Sequence, residues 1–258
     1  MPFADFGDHR THYQIEASDR PVLVLSNSLG TNLSMWEPQR PHLAQHFRVL
    51  RYDTRGHGQS SVTLGDYTIE QLGRDVLQLL DSLKIKRVHF CGLSMGGAIG
   101  IWLGIHAPDR LKRLVLCNTA ARIGTPDMWN ARIATVRRDG MKPVAATVIE
   151  RWFTPGFRAS HPQQVAQTQR MLETTPPEGY AACCAAIRDV DLRDGVAQIK
   201  TPTLVVYGEK DPVTPLADVD FLKNTIQGAV AVGLSAAHLS NVEQADAFTK
   251  AVSEFLSS

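Results

Sequence analysis

The chain has 258 residues, of which 43% are hydrophobic and 21% charged, and its formal net charge at pH 7 is +1. This length and apolar content predict one large domain with a buried core and an insertion. The near-zero net charge argues against nucleic acid or an anionic membrane as a general partner. The first ten residues lack a basic start followed by an apolar core, so we expect no secretory signal and a cytoplasmic protein.

Apolar runs of strand length alternate with helix-like segments along the first half of the chain. Strands are predicted at 21–26, 47–52, 87–90 and 111–117, a helix-like region at 35–45 and an amphipathic helix at 68–83. Thr68 is predicted to cap the amphipathic helix, because Gln71 follows it at the spacing of a capping box. The alternation predicts an α/β fold with a mostly parallel, doubly wound sheet. Ligands bind such sheets beyond the carboxyl ends of the strands.

The alternation stops after residue 120 and resumes near residue 199. The intervening residues predict a helical cap at 121–198, inserted into a core formed by 1–120 and 199–258. A cap over the strand ends would exclude water and shape a substrate pocket. Alternatively, these helices only extend the outer layer of the sheet. The cap helices are predicted at 127–139, 141–152, 162–173 and 178–187, separated by Gly140, Pro155-Gly156 and Pro176-Pro177.

The motif G-x-S-x-G at 92–96 lies directly between a strand-like run and a helix-like run. This context is typical of a nucleophile elbow, a sharp turn that holds Ser94 in strained backbone geometry at the top of a sheet. Gly92 and Gly96 are required because a Cβ at either position would collide with a neighbouring strand or helix. The alternative is a glycine-rich turn whose serine only caps the helix.

A serine hydroxyl needs a base to take its proton and an acid to orient that base. Asp211 follows an apolar strand at 203–208, and His238 follows another at 230–234. Of the nine histidines, only His238 comes after both Ser94 and an acid at a strand end. Ser94, Asp211 and His238 are therefore predicted to meet at one edge of the sheet.

Two structural interpretations compete with this triad. Asp211 could cap a turn before Pro212, and His238 could cap the last helix. Other acids are weaker candidates, because Glu209 is still close to the strand and Asp220 is predicted to lie on a helix.

Four stretches carry a resemblance to a known family: Ser26 to Thr31, Met35-Trp36, Arg51 to Ser61, and Phe90 to Gly97. The R-x-D-x-R-G-H-G-x-S run and the elbow mark the α/β-hydrolase superfamily. Ser-Leu-Gly at 28–30, where many relatives carry His-Gly, indicates a narrower group within this superfamily. Together with the run at 208–211, these residues make the chain resemble the 3-oxoadipate enol-lactonases over nearly its whole length. One departure is Ala237, where many relatives have glycine before the histidine.

The resemblance implies that the chain opens an anionic enol-lactone to 3-oxoadipate in aromatic catabolism, the β-ketoadipate pathway. Ser94 would be the nucleophile, His238 the base and Asp211 its orienting acid. The backbone amides of Leu29 and Met95 would form the oxyanion hole. A small-molecule substrate is implied, and no metal or organic cofactor is required.

The first half of the cap is basic, with seven Lys/Arg and three Asp/Glu over residues 121–160. An inward-facing arginine could pair with the carboxylate of the implied lactone. Trp129 and Arg132 are three residues apart and share a helix face. Trp129, Arg132 and Trp152 are therefore the substrate-binding candidates. Alternatively, the arginine solvates a helix face and the tryptophans belong to the core.

Other functions fit the same motifs. The triad is compatible with a carboxylesterase, a carbon–carbon bond hydrolase or a cofactor-free perhydrolase, which differ only in the pocket. An acyltransferase or a non-enzymatic ligand receptor is also compatible. The four cysteines match no zinc spacing and are expected to be buried thiols. The loop at 53–60 lacks a P-loop lysine, and we interpret it as structural, with Asp53 and Arg55 fixing neighbouring backbone.

Overall fold

The computed structural model describes residues 2–258, in which eight strands form one sheet in the order β1-β2-β4-β3-β5-β6-β7-β8. The first strands pair antiparallel, β1 with β2 and β2 with β4, and all the others pair parallel. The predicted mostly parallel sheet is therefore confirmed. The strands are β1 (Phe3–Asp5), β2 (Arg10–Ile15), β3 (Val22–Ser26), β4 (Arg48–Tyr52), β5 (Val88–Leu93), β6 (Leu111–Cys117), β7 (Thr203–Gly208) and β8 (Val230–Leu234).

Helices connect the strands from β3 onward. In the part of the chain that the structure describes, no helix is long and apolar enough to cross a membrane. Short 3₁₀ turns lie at Leu33–Trp36, Pro108–Arg110 and Val196–Gln198. The helices are α1 (Arg40–Leu43), α2 (Ile69–Ser82), α3 (Met95–His106), α4 (Pro126–Asp139), α5 (Met141–Trp152), α6 (Pro155–Ser160), α7 (Pro162–Glu173), α8 (Pro177–Asp189), α9 (Leu216–Thr225), α10 (Ser240–Glu243) and α11 (Ala245–Ser257).

The helices pack against the sheet in two groups. In the first, α2 packs on α3, which lies on β5 and β6, and in the second α11 lies on β7 and β8 with α1 beside it. As predicted, Thr68 caps α2, because its hydroxyl accepts the amide of Gln71 at 3.0 Å. The apolar stripe of α2 is buried. The helix predicted at 35–45 is wrong in extent. Pro38 and Pro41 have no amide hydrogen to donate to a continuous helix, and only a 3₁₀ turn and the single turn of α1 form.

Five helices, α4 to α8, fill the chain between β6 and β7. The sequence predicted four and treated Pro155-Gly156 as a break. Instead Pro155 is the first residue of α6, a position that tolerates proline, and the Thr154 hydroxyl caps it by accepting the Phe157 amide at 3.3 Å. Within this stretch α4 packs along α8, and α5 packs along α7. We keep the name cap for residues 121–198.

Candidate active site

The turn between β5 and α3 holds Ser94 at φ +56° and ψ −114°, a conformation that a serine rarely adopts. A Cβ on Gly92 would overlap the carbonyl of Gly96, and a Cβ on Gly96 would overlap the carbonyl of Ser26. The two glycines are thus required for the steric reason that the spacing predicted. The Ser94 side chain makes no capping hydrogen bond to α3, so the helix-cap interpretation fails.

Asp211 and His238 meet beyond the ends of β7 and β8. The Nδ1 atom of His238 lies 2.8 Å from Oδ2 of Asp211, and the two residues are 2% and 7% exposed respectively. A carboxylate can only accept this bond, so Nδ1 carries the proton, and in the neutral ring Nε2 has the lone pair that a base needs. Ser94 and His238 line the same cavity. The three residues that the sequence singled out are therefore brought to one edge of the sheet.

The carboxylate of Asp211 is saturated with donors. Besides His238, its Oδ2 accepts Nδ2 of Asn118 at 3.0 Å and the Thr214 hydroxyl at 2.7 Å, and its Oδ1 accepts the Val213 amide at 2.7 Å. Burial alone would raise its pKa, but the charge of His238 and the hydrogen bonds from His238, Asn118 and Thr214 outweigh burial and lower the pKa to about 2. The acid therefore stays ionised. Sequence reasoning missed Asn118 and Thr214, whose only signal is polarity just beyond a strand end.

Two backbone amides near Ser94 are free to bind a ligand. Met95 is the first residue of α3 and Leu29 lies in a turn closed by a 3.2 Å bond from the Thr31 amide to the Ser28 carbonyl. Within residues 2–258, neither the Leu29 amide nor the Met95 amide donates a hydrogen bond. Gly30 permits this turn by adopting φ +79°. Leu29 lines the cavity and Met95 directly follows Ser94, so the arrangement offers two donors near the nucleophile, as an oxyanion hole requires.

A cavity of about 180 Å³ separates the strand ends from the cap. The predicted residues Leu29, Ser94, His238, Trp129, Arg132 and Trp152 all line it, whereas Asp211 lies behind His238 and Met95 contributes no lining side chain. Sequence reasoning did not single out Arg151 or Tyr180, which lie on the cap side. The core contributes Ser28, Leu29, Ser94, Pro212, Val213 and His238, and the cap contributes Ile123, Gly124, Met128, Trp129, Arg132, Val148, Arg151, Trp152, Tyr180 and Ile187.

Arg132 is the half-buried cation of this cavity. Its guanidinium lies over the Trp129 ring, 4.9 Å from the centroid, and the Trp129 indole N–H is already engaged by the Ile123 carbonyl at 2.7 Å. In the described part of the chain, no carboxylate lies within 4 Å of Arg132, nor of Arg151. By contrast, Arg137 on the same helix is exposed and is paired with acidic side chains.

Trp152 connects the cap to the loop that carries the histidine. Its ring lines the cavity, and its carbonyl accepts the amide of Leu239, the residue after His238, at 3.0 Å. The two tryptophans are buried, as the core interpretation required, and also face the cavity. The core interpretation therefore holds for both tryptophans, and substrate binding by them stays a prediction that their place at the cavity permits.

The loop at 53–60 holds neighbouring backbone segments in place. As predicted, Asp53 fixes backbone, because it accepts the amides of Leu33 at 2.8 Å and Gln59 at 2.9 Å. The prediction for Arg55 is wrong, since its guanidinium pairs with the side chain of Asp75 at 2.7 and 2.8 Å. An arginine fork matches the two oxygens of a carboxylate better than a single carbonyl.

The cysteines fit the structural interpretation. All four are buried and free, and the Sγ atoms of Cys91 and Cys117 lie 3.7 Å apart. Burial raises the pKa of the Cys117 and Cys183 thiols well above the usual value, which keeps them protonated and unreactive. Within residues 2–258, no group of three or more His, Cys, Asp or Glu side chains is placed to hold a metal ion.

Comparison with known proteins places this arrangement in a family. The model of the alpha/beta hydrolase fold matches residues 21–245. The chain belongs to the α/β-hydrolase fold family. Membership accounts for the chain order serine, acid, histidine and for the position of all three beyond strand ends. The fold class predicted from the alternation of strands and helices is confirmed.

Individual relatives of this α/β hydrolase are similar over their full lengths. It is 48% identical to 3-oxoadipate enol-lactonase 2 of Acinetobacter baylyi, over 98% of this chain and 97% of that protein. The crystal structure of the enol-lactonase from Burkholderia xenovorans LB400 superposes with a TM-score of 0.98 at 48% identity, with both chains fully covered. A thermophilic esterase from Thermogutta terrifontis, solved with malate bound, superposes at 0.91 with 30% identity, covering 98% and 95% of the two chains. The resemblance predicted from the motifs is confirmed.

Proposed function

We propose that this α/β hydrolase opens the ring of 3-oxoadipate enol-lactone to 3-oxoadipate, a step of aromatic catabolism in the β-ketoadipate pathway. It is then a serine hydrolase acting on a carboxylic ester. Similarity to two enol-lactonases of Acinetobacter baylyi, at 48% and 42% identity, supports the substrate. The observation that carries the proposal is that a cation without a carboxylate partner, Arg132, shares a small cavity with Ser94 and His238.

In the first half of the proposed reaction, Ser94 attacks the lactone carbonyl while Nε2 of His238 takes the hydroxyl proton. The amides of Leu29 and Met95 stabilise the negative charge that develops on the carbonyl oxygen. The carbon–oxygen bond of the ring then breaks, and the enol oxygen leaves with the proton that His238 returns. The enol becomes a ketone, and the opened chain stays attached to Ser94 as an acyl-enzyme.

In the second half, a water molecule attacks the acyl-enzyme and His238 again takes the proton. Collapse of this second tetrahedral intermediate frees the Ser94 hydroxyl and releases the keto dicarboxylate. Asp211 stabilises the imidazolium in both halves without taking its proton, in keeping with its low pKa. The route uses protein groups and water alone.

We further propose that Arg132 binds the carboxylate of the substrate, with Trp129 beneath it and Trp152 as a second wall. A guanidinium can bind a carboxylate through two parallel hydrogen bonds. The Trp129 ring holds the guanidinium by a cation–π contact and limits its freedom before the ligand arrives. Malate, bound in the structure of the Thermogutta esterase, is likewise a small carboxylate.

The first test is consumption of enol-lactone, followed by ultraviolet absorbance, with the wild-type protein and Ser94→Ala. We expect rapid turnover by the wild type and a loss of about a thousandfold or more in the variant. The neutral ester 4-nitrophenyl acetate serves as the second substrate. If the wild type cleaves the ester but leaves the lactone intact, the carboxylesterase alternative replaces the lactonase. Undiminished turnover by Ser94→Ala would contradict the serine mechanism itself.

We propose a cytoplasmic location for the enzyme. Four cysteines without a disulfide among them are typical of a reducing compartment. Cell fractionation with activity measured in each fraction tests this location.

A further inference from the structure

The loop at 53–60 reaches the oxyanion turn through one buried side chain. His57 is fully buried, and its Nε2 lies 2.8 Å from the backbone amide of Gly30. Gly30 directly follows Leu29, whose amide belongs to the proposed oxyanion hole. His57 does not line the cavity and therefore touches no substrate there.

The surroundings of His57 decide which ring nitrogen carries the proton. Its Nδ1 lies 3.4 Å from the carbonyl of Arg55 and 3.8 Å from Sγ of Cys183. A carbonyl can only accept, so the proton is on Nδ1, and Nε2 is free to accept the Gly30 amide. Burial lowers the pKa of His57 to about 4 against the opposing effect of the Arg55 carbonyl, so the ring is neutral near pH 7.

The peptide on the other side of Gly30 is also fixed. Its carbonyl accepts the Thr175 hydroxyl of the cap at 3.1 Å. A Cβ on Gly30 would overlap Leu172 and lie 2.9 Å from the Tyr180 ring, so the cap packs directly on this turn. The core holds the amide side through His57, and the cap holds the carbonyl side. His57 thus holds the peptide between Leu29 and Gly30, and the Leu29 amide belongs to the preceding peptide. Only the φ and ψ angles of Leu29 lie between these two peptides.

We propose that His57 is a positioning residue of the oxyanion hole, which aims the Leu29 amide at Ser94 by accepting the Gly30 amide. The inference rests on the proposed serine mechanism. An oxyanion donor contributes mainly in the transition state, so its displacement lowers kcat and leaves KM nearly unchanged. Loss of the acceptor also leaves the buried Gly30 amide without a partner, which favours movement of the turn.

Two variants of His57, both with a side-chain amide, distinguish a positioning role from a packing role. In His57→Gln the side-chain carbonyl can occupy the place of Nε2 and accept the Gly30 amide. In His57→Asn the amide group reaches only the place of Nδ1, so contact with Arg55 can survive while the bond to Gly30 is lost. We expect kcat for the lactone to fall about 10- to 100-fold in His57→Asn with KM within about twofold, and His57→Gln to recover most of the loss.

A second buried histidine provides the matched control. His89 lies on β5, its Nδ1 has no hydrogen-bond partner among the described residues, and its ring packs edge-on against Phe47 at 5.6 Å. His89→Asn should lower the unfolding temperature without changing kcat per folded molecule. Should His57→Asn fold too poorly to assay, His57→Leu takes its place with the same expected loss. The unfolding temperature is measured for every variant, and kcat is corrected for the folded fraction.

Binding of phenylboronic acid gives a second readout, because its adduct with Ser94 places an oxygen in the oxyanion hole. We expect the dissociation constant to rise in His57→Asn by about the factor lost in kcat. Unchanged kcat and boronate affinity in the folded variant overturn the inference, as does equal loss in His57→Asn and His57→Gln. Ser94→Ala separates the two proposals: if it is inactive while the His57 variants keep their kcat, only the role of His57 fails.

Discussion

Asp211 and Arg132 carry opposite charges at the same site, and the protein surrounds them differently. Asp211 is 7% exposed and accepts hydrogen bonds from His238, Asn118 and Thr214. Arg132 is half-buried, rests on the face of Trp129 and has no carboxylate partner within residues 2–258. The charge of the acid is compensated inside the protein, while the charge of the arginine is left open toward the cavity.

From this difference we infer that the charge of Asp211 acts in the reaction and that the charge of Arg132 acts in ligand binding. A saturated carboxylate cannot reorient, so it holds the imidazole in one tautomer and one direction throughout the cycle. A half-buried guanidinium without an anionic partner is costly unless water or a ligand supplies the opposite charge. We therefore expect loss of Asp211 to affect kcat for every substrate, and loss of Arg132 to affect only anionic substrates.

The largest effect is expected for Asp211→Asn. The amide cannot stabilise the imidazolium and favours the wrong histidine tautomer, so kcat should fall by about 10⁴ for the lactone and for 4-nitrophenyl acetate alike. Steady-state kinetics with both substrates measure the loss. Asp220→Asn, an exposed change on α9, is the control and should retain wild-type kcat. Retention of a tenth of the wild-type kcat by Asp211→Asn would assign the orienting role elsewhere.

A smaller and selective effect is expected for Arg132→Met, which keeps an unbranched apolar stem over Trp129. Loss of the charge should lower kcat/KM for the lactone about 10- to 100-fold, mainly through KM, and leave the neutral ester within about twofold. Arg138→Met is the control, because this exposed residue on the same helix pairs with Asp139. An equal loss for both substrates would indicate that Arg132 shapes the pocket rather than binds the carboxylate.

The smallest effect concerns stability and pH. The pKa of Asp211 is lowered from 3.8 to about 2 in the folded protein, so its contribution is fully present above pH 3.8 and is lost as pH falls through 2. This shift corresponds to about 2 kcal/mol of unfolding free energy. Urea denaturation between pH 5 and pH 2.5 should show a steeper decline for the wild type than for Asp211→Asn. Parallel declines would mean that Asp211 is not preferentially stabilised as the anion.

Arg132→Met sharpens the comparison in the same experiment. Because Arg132 has no carboxylate partner to leave behind, its removal should cost only its contact with Trp129, about 1 kcal/mol, and the same amount at every one of these pH values. A loss as large as that of Asp211→Asn at pH 5 would show that Arg132 is compensated within the protein after all.

Much of the sheet edge where Ser94, Asp211 and His238 meet could be predicted, because its structure follows from local rules. G-x-S-x-G between a strand and a helix dictates the turn, and the absence of a Cβ at Gly92 and Gly96 is a purely steric condition. Parallel strands bring their carboxyl ends to one edge, which placed Asp211 and His238 together from their positions after two apolar runs. The helix boundaries of the cap were harder to predict, because a proline can end one helix or begin the next. Pro155 begins α6, and nothing in its immediate neighbours excluded a break.

The sequence by itself determined the sheet, the elbow, the order of the triad and the resemblance to the enol-lactonases. Only the tertiary structure decided which partners these residues have. Asn118 binds Asp211 across 93 positions of the chain, and His57 accepts the Gly30 amide across 27. Arg132 and Arg137 are both arginines of the same helix, yet Arg132 faces the cavity and Arg137 is paired with acidic side chains at the surface. Periodicity gives the face of a helix, but the charges that meet that face come from distant segments brought near by folding.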